Sequence, residues 1–214
     1  MNNKFFKVAL VLALAVASFS ASAQQAYDSG LYMTSTKFNN QPLNMWNYFT
    51  PDSLMVRYFS GRGEYKVISN ANSNYVAILT SAPSASLKKA VVLNPEELRE
   101  MFAAMPKLAF TATNETKMIS NFNCRKIIAT DVRSKKTYDV WTTKDVVMPN
   151  SAVPIYYQGI DGFPIQYISF REGIQELVTV LTVRNVTLRP GSYSVPPDFF
   201  RISYKDYKAL IGLL

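Results

Sequence analysis

The stretch from Glu176 to Leu188 constrains the fold most, because it is strand-like in composition yet apolar on both alternating sets of positions. Val178, Val180, Val186 and Leu188 share one parity, while Leu177, Leu181 and Val183 share the other. An antiparallel strand with one wet face alternates apolar and polar residues instead. The run Phe163 to Phe170 repeats the two-sided pattern, with Phe163, Ile165 and Tyr167 opposed to Ile168 and Phe170. A sheet made of such strands needs cover on both faces. Either it curls on itself, or one face lines an apolar cavity.

The rest of the chain supports an antiparallel, mainly β (α+β) protein. β-type runs are expected over Leu31 to Phe38, Ser53 to Phe59, Glu64 to Ser69, Tyr75 to Thr80 and Lys89 to Leu93, and again over Phe122 to Asp131 and Thr137 to Thr143. The two-sided runs at Phe163 to Phe170 and Glu176 to Leu188 complete the set. Turn residues separate them, at Gly61-Arg62-Gly63, Asn70 to Asn74 and Arg133 to Lys136. Two segments read as short helices. Asn94 is an N-cap, Pro95 fits the first helical position, Glu96 and Glu97 suit the positive end, and Pro106 ends the helix. Its Leu98, Met101, Phe102 and Met105 make one apolar face. A second helix starts at Ser203, whose spacing to Asp206 resembles a capping box, and carries Tyr204, Tyr207, Leu210, Ile211 and Leu214 at helical spacing.

The N-terminus reads as a removable export leader over residues 1–23. Lys4 and Lys7 supply the cationic head, Val8 to Ala17 the apolar run, and Ala21-Ser22-Ala23 an A-x-A cleavage site before Gln24. The apolar run falls short of the roughly 20 residues needed to cross a bilayer as a helix. No cysteine lies near the cleavage point to accept a lipid, so the expectation is a soluble periplasmic or extracellular protein with no transmembrane segment after cleavage. Removing the leader from the 214-residue chain leaves residues 24–214 as one β-rich domain, and the loss of two lysines lowers the net charge from +8 to +6. The remaining basic residues are dispersed, which argues against nucleic acid and is compatible with an anionic membrane or glycan nearby.

Composition also narrows the chemistry. Histidine is absent, which removes the commonest general base and metal ligand, so no catalytic triad, metal site or cofactor is expected. Cys124 is the only cysteine, so no internal disulfide forms, and it reads as an inert buried thiol. Ser86-Leu87-Lys88-Lys89 spells S-x-x-K, but it precedes a strand instead of opening a helix. Gly61-Arg62-Gly63 lacks a third glycine and a following helix, so it is a turn. Asn114-Glu115-Thr116 and Asn185-Val186-Thr187 fit a glycosylation pattern that matters only in a eukaryotic secretory pathway.

Five groups of residues in the second half fall in a fixed order: Glu115-Thr116-Lys117-Met118-Ile119, Phe122-Asn123-Cys124-Arg125-Lys126, Val140-Trp141-Thr142-Thr143, Gly159-Ile160-Asp161-Gly162-Phe163-Pro164-Ile165 and Tyr193-Ser194-Val195-Pro196-Pro197. Together they resemble exported bacterial proteins of unknown function related to the GLPGLI family, over about Thr111 to Tyr204. Asn121 stands where those proteins usually have glycine. The resemblance implies a fold like the lipoprotein carrier of the LolA type, a curved antiparallel sheet wrapped as a half-barrel around helices. It implies no catalytic residues, and it favours a curled sheet with an apolar concave side.

On this reading the protein is not an enzyme and binds a lipid or other apolar ligand on that concave side. Trp141 on its strand, Tyr156, Tyr157 and Phe163 in the loop region from Val153 to Pro164, and Tyr167 beyond it are the candidate contacts. Core packing is the competing role for Trp141, and backbone freedom for the loop glycines. A module that docks an envelope protein is the first alternative. An enzyme working through Asp139, Asp145, Asp161 or Glu172 is the second.

Overall fold

A computed structural model describes residues 24–38, 40–82, 84, 86–171, 174–189 and 191–211. The expected leader, Glu172 and the last three residues of the expected second helix lie outside the described residues. Strands alternate with tight turns through the first half: β1 (Gln25–Ala26), β2 (Gly30–Phe38), β3 (Gln41–Thr50), β4 (Ser53–Ser60), β5 (Gly63–Asn70), β6 (Val76–Ala82) and β7 (Leu87–Val92). Helix α1 (Pro95–Ala103) follows. Then come β8 (Leu108–Ile119), β9 (Phe122–Asp131), β10 (Thr137–Thr143), β11 (Val146–Val147), β12 (Phe163–Arg171), β13 (Ile174–Arg184), β14 (Phe200–Arg201) and α2 (Tyr204–Ile211).

Two antiparallel meanders share one curved, unclosed sheet of 12 strands, ordered β14-β7-β6-β5-β4-β3-β2-β13-β12-β10-β9-β8. They join where β13 returns to pair with β2, bringing Val180 opposite Thr34 and Arg184 opposite Leu31. Register shifts at Ala112/Thr116, Trp141/Thr142 and Val180/Thr182 place bulges in the second meander. Bulges of this kind bend a strand and increase its twist. One edge is finished by the two-residue parallel pairing of β14 on β7, and the other is the bulged β8. The small parallel sheet of β1 and β11 ties Gln25 to the connection after β10.

Because successive strand residues point to opposite sides, the registers define two faces. The first carries Tyr32, Asn47, Val56, Val67 and Val180; the second carries Leu31, Trp46, Met55, Ile68 and Ala77. Over β6 and β7 the first face is covered by the helices, whose Leu98, Tyr204 and Tyr207 pack on Val76, Val91 and Leu93. Asn94 caps α1 by accepting from the amides of Glu96 and Glu97, and the Glu97 carboxylate accepts from the Asn94 amide at 2.8 Å. Ser203 starts α2 as expected, its hydroxyl accepting from the Asp206 amide at 3.1 Å. Over β9, β10, β12 and β13 the same face is covered by the connection through Asn150–Ala152 and Ile155–Tyr157, two short 3-10 turns.

The second face has a cover that the sequence pattern did not reveal. After Arg184 the chain leaves the sheet, so the run expected to Leu188 ends four residues early. Leu188, Tyr193, Val195 and Phe199 then pack on Met55, Ile68, Ala77, Leu79 and Ala90. The described residues of this irregular segment cover only part of the second face, the stretch of the first meander around Met55, Ile68, Ala77, Leu79 and Ala90.

Candidate functional site

The five candidate contact residues divide between the two faces. Tyr157 is fully buried, and Phe163 and Tyr167 are nearly so, in one cluster with Tyr32, Val140, Ile165 and Val178. The Tyr156 ring meets Tyr157 edge-on at 4.9 Å and Phe170 at 5.1 Å; Tyr157 meets Tyr167 at 5.4 Å. Such edge-to-face geometry sets the positive rim of one ring against the negative face of the next. The hydroxyl of Tyr157 donates to the Ile168 carbonyl at 2.8 Å, and that of Tyr32 to the Ala152 carbonyl at 2.9 Å. Burial pushes the phenols of Tyr32, Tyr157 and Tyr167 well above the ordinary tyrosine range. The chain folds there because Gly162 adopts φ +89° with its α-carbon pressed on the Thr143 carbonyl, where an added Cβ would lie at 2.6 Å. These aromatics therefore fill the first face with side chains.

Trp141 lies on the other face, beside Lys126 on β9 and Gln166 on β12. The ammonium of Lys117 sits 4.0 Å from the centre of the indole and donates to Gln166 at 3.3 Å. Gln166 in turn donates to Thr179 at 3.1 Å. Lys126 bridges Asp139 at 2.9 Å and Glu115 at 3.3 Å.

Further along the same face the sheet is uncovered. Phe59 is 48% exposed and Leu177 is 53% exposed, with Trp46, Met33 and Ile168 half-buried between and beside them. Trp46 and Phe59 meet edge-on at 6.0 Å, and the Arg57 guanidinium lies 5.0 Å from the Phe59 centroid. The bulge at Val180/Thr182 leaves Leu181 41% exposed. Large apolar side chains thus stay exposed on this uncovered stretch of the sheet, as they do at Met118 and Phe200 on its edge strands.

Two clefts border the sheet. One, of about 550 Å³, is lined by Lys117, Met118, Cys124, Arg125, Asp145 and Asp161 among others; the second, of about 770 Å³, by Lys66, Lys88, Asp198 and Phe200 among others. Cys124 is 2% exposed, and burial, with Asp145 adding to it, pushes its thiol up to about 11. The aspartates considered for catalysis are each engaged: Asp139 by Lys126, Asp161 by Lys144 at 2.8 Å, and Asp145 by the Asn123 amide at 2.7 Å. Among the described residues no three His, Cys, Asp or Glu side chains converge as metal ligands. Ser86 of the S-x-x-K motif lies in the turn before β7, with φ +50°.

Fold and site together define a half-wrapped antiparallel sheet with one packed and one partly open face. No protein-family model matches the chain, and no curated protein sequence does either. Among solved structures, PNGF-II superposes with a TM-score of 0.52 at 17% identity, over 87% of this chain and 33% of that one. A second crystal form of PNGF-II gives 0.51 at 16% identity. MucB gives 0.44 at 8% identity, over 87% of this chain and 63% of its own. The likeness to PNGF-II is one of fold, and this chain spans about a third of that protein's length. Neither comparison of sequences supports the resemblance to the GLPGLI proteins, which rests on the five motifs alone.

Proposed function

We propose that the chain is an exported, non-catalytic binding module whose partner is a lipid or another apolar or amphipathic group. The observation that carries this is the uncovered part of the second face, where Phe59 and Leu177 stay about half exposed, whereas the helices, the aromatic turn and the residues around Tyr193 and Phe199 cover other parts of the sheet. Leaving such side chains in water forgoes roughly 25 cal/mol per Å² of apolar area that a partner would cover. The first face, filled by Tyr157, Phe163 and Tyr167, has its apolar surface satisfied internally, which moves the expected contact to the opposite side of the sheet.

Trp46 reports on this surface, and Trp141→Phe leaves it as the sole tryptophan. Titration of that protein with a nonionic alkyl maltoside below its micelle concentration is expected to shift Trp46 emission to the blue with saturation. The response is expected to disappear in Phe59→Ser/Leu177→Ser. Emission that ignores the amphiphile in both backgrounds overturns the proposal.

A second reading is protein docking along β8. Met118 is 60% exposed there, and the strand forms one edge of the sheet. A stoichiometric protein partner from envelope extract, released by Met118→Glu and indifferent to Phe59→Ser, supports this alternative.

A further inference from the structure

We infer that the uncovered half of the second face docks on an anionic lipid bilayer, a statement that rests on the proposed apolar-binding role and names its partner. Phe59, Trp46, Met33, Leu177 and Ile168 lie on five neighbouring strands, β4, β3, β2, β13 and β12. At about 4.8 Å per strand they spread over roughly 20 Å of one face. None of these five lines either cleft described above. An isolated acyl chain lying on such a strip would leave one flank in water, whereas a bilayer interface accepts every exposed side chain at once. Tryptophan and phenylalanine suit that boundary because their rings tolerate a partly wet, partly apolar setting.

The charge around the strip fixes the sign of the headgroups. Register and contacts place Lys37, Arg57, Lys66, Lys117, Lys126 and Arg184 on this face, against the carboxylates of Glu64, Glu115 and Asp139. Glu64 serves both Arg57 at 2.5 Å and Lys66 at 3.5 Å, while Asp139 and Glu115 both serve Lys126. Lys37, Lys117 and Arg184 are left without a carboxylate partner among the described residues. Lys37 flanks the strip near Leu177, and Arg184 lies beyond Met33 at the other end of the same two strands. An apolar strip bordered by cations that no described carboxylate neutralises is complementary to a surface bearing anionic headgroups.

Co-sedimentation of the purified protein with vesicles tests this. Binding is expected to phosphatidylcholine vesicles that contain one-third phosphatidylglycerol, to weaken as salt rises, and to be weak with phosphatidylcholine alone. Phe59→Ser/Leu177→Ser is expected to lower that binding at least tenfold. Lys37→Ala and Arg184→Ala are each expected to lower it about fivefold at low salt, with little effect at high salt. All variants share one N-terminus, so any contribution of the leader cancels, and circular dichroism verifies that each is folded. Equal binding to both vesicle types, or binding indifferent to the Lys37 and Arg184 changes, overturns the inference. A Trp46 response to monomeric maltoside without vesicle binding overturns it too while leaving the proposed function standing; failure of both responses overturns both.

Discussion

Cys124 illustrates how burial sets the chemistry of a single side chain. Its Sγ is 3.4 Å from the Phe122 carbonyl and it is packed with Val140, Phe163 and Ile165 in one cluster. Burial favours the neutral thiol, so its pKa is raised from the ordinary value of 9.0 to about 11. The unfolded chain therefore gives up this proton at lower pH than the folded chain does. The stabilising contribution is fully present below about pH 9 and is lost as pH rises from 9 towards 11. Urea titrations are expected to show stability falling more steeply between pH 9 and 10 in the native sequence than in Cys124→Ala. Equal slopes would mean the thiol titrates alike in both states. The burial of this cysteine was legible, since Arg125 and Lys126, its only cationic neighbours in sequence, were expected to point away from it. The roles of the aromatic turn residues were not, because spacing cannot say whether Tyr157 faces a ligand or the Ile168 carbonyl.

At the scale of elements, the strands with strong apolar periodicity were legible almost to the residue: Phe122–Asp131 and Thr137–Thr143 form as expected. β3 and β8 were not, and each for a physical reason. β3 carries Pro42, Asn44 and Asn47 amid its apolar residues, a composition that reads as turn; Asn47 is nonetheless buried, donating to the Tyr32 carbonyl at 3.2 Å and to Thr34 at 3.0 Å. β8 is an edge strand interrupted by a bulge, so its polar Thr113 to Lys117 stretch needs no alternation. The turn joining β8 to β9 accommodates Asn121 at the position where the proteins of the resemblance usually have glycine. Ser120 and Asn121 take φ +49° and +68° between the paired Ile119 and Phe122, a two-residue turn with both residues left-handed. Glycine and asparagine tolerate that conformation, and β-branched residues do not. Asn121→Val is expected to destabilise the protein by about 1–2 kcal/mol and Asn121→Gly to be neutral or mildly stabilising, both read from denaturant midpoints. A reversed order would show that the turn does not hold this geometry.

For the whole molecule, the two-sided apolar pattern in β12 and β13 called for cover on both faces, and only the first face is covered there: Leu177 and Leu181 stay exposed on the second. Nor did it reveal what covers the second face over the first meander, since beyond Leu188 the chain has neither helical nor strand periodicity and carries Pro190, Pro196 and Pro197. That segment runs from the last strand of the second meander to the edge of the first, and Ile202 closes the crossing by donating to the Ala90 carbonyl at 2.9 Å. It thereby separates the sealed part of the second face from the open strip that carries Phe59 and Leu177. Tyr193 and Phe199 are its largest apolar anchors against Ile68, Ala77 and Leu79, and burial raises the Tyr193 phenol to about 12. Both anchors are only half-buried, so Tyr193→Ala/Phe199→Ala is expected to cost about 2–4 kcal/mol, less than two full core truncations would. The same change is expected to enlarge the exposed apolar area next to the strip, so the variant should bind a hydrophobic dye more strongly while still folded in dilute denaturant. A matched loss of stability without added dye binding would show that the segment supports the sheet without shielding its second face.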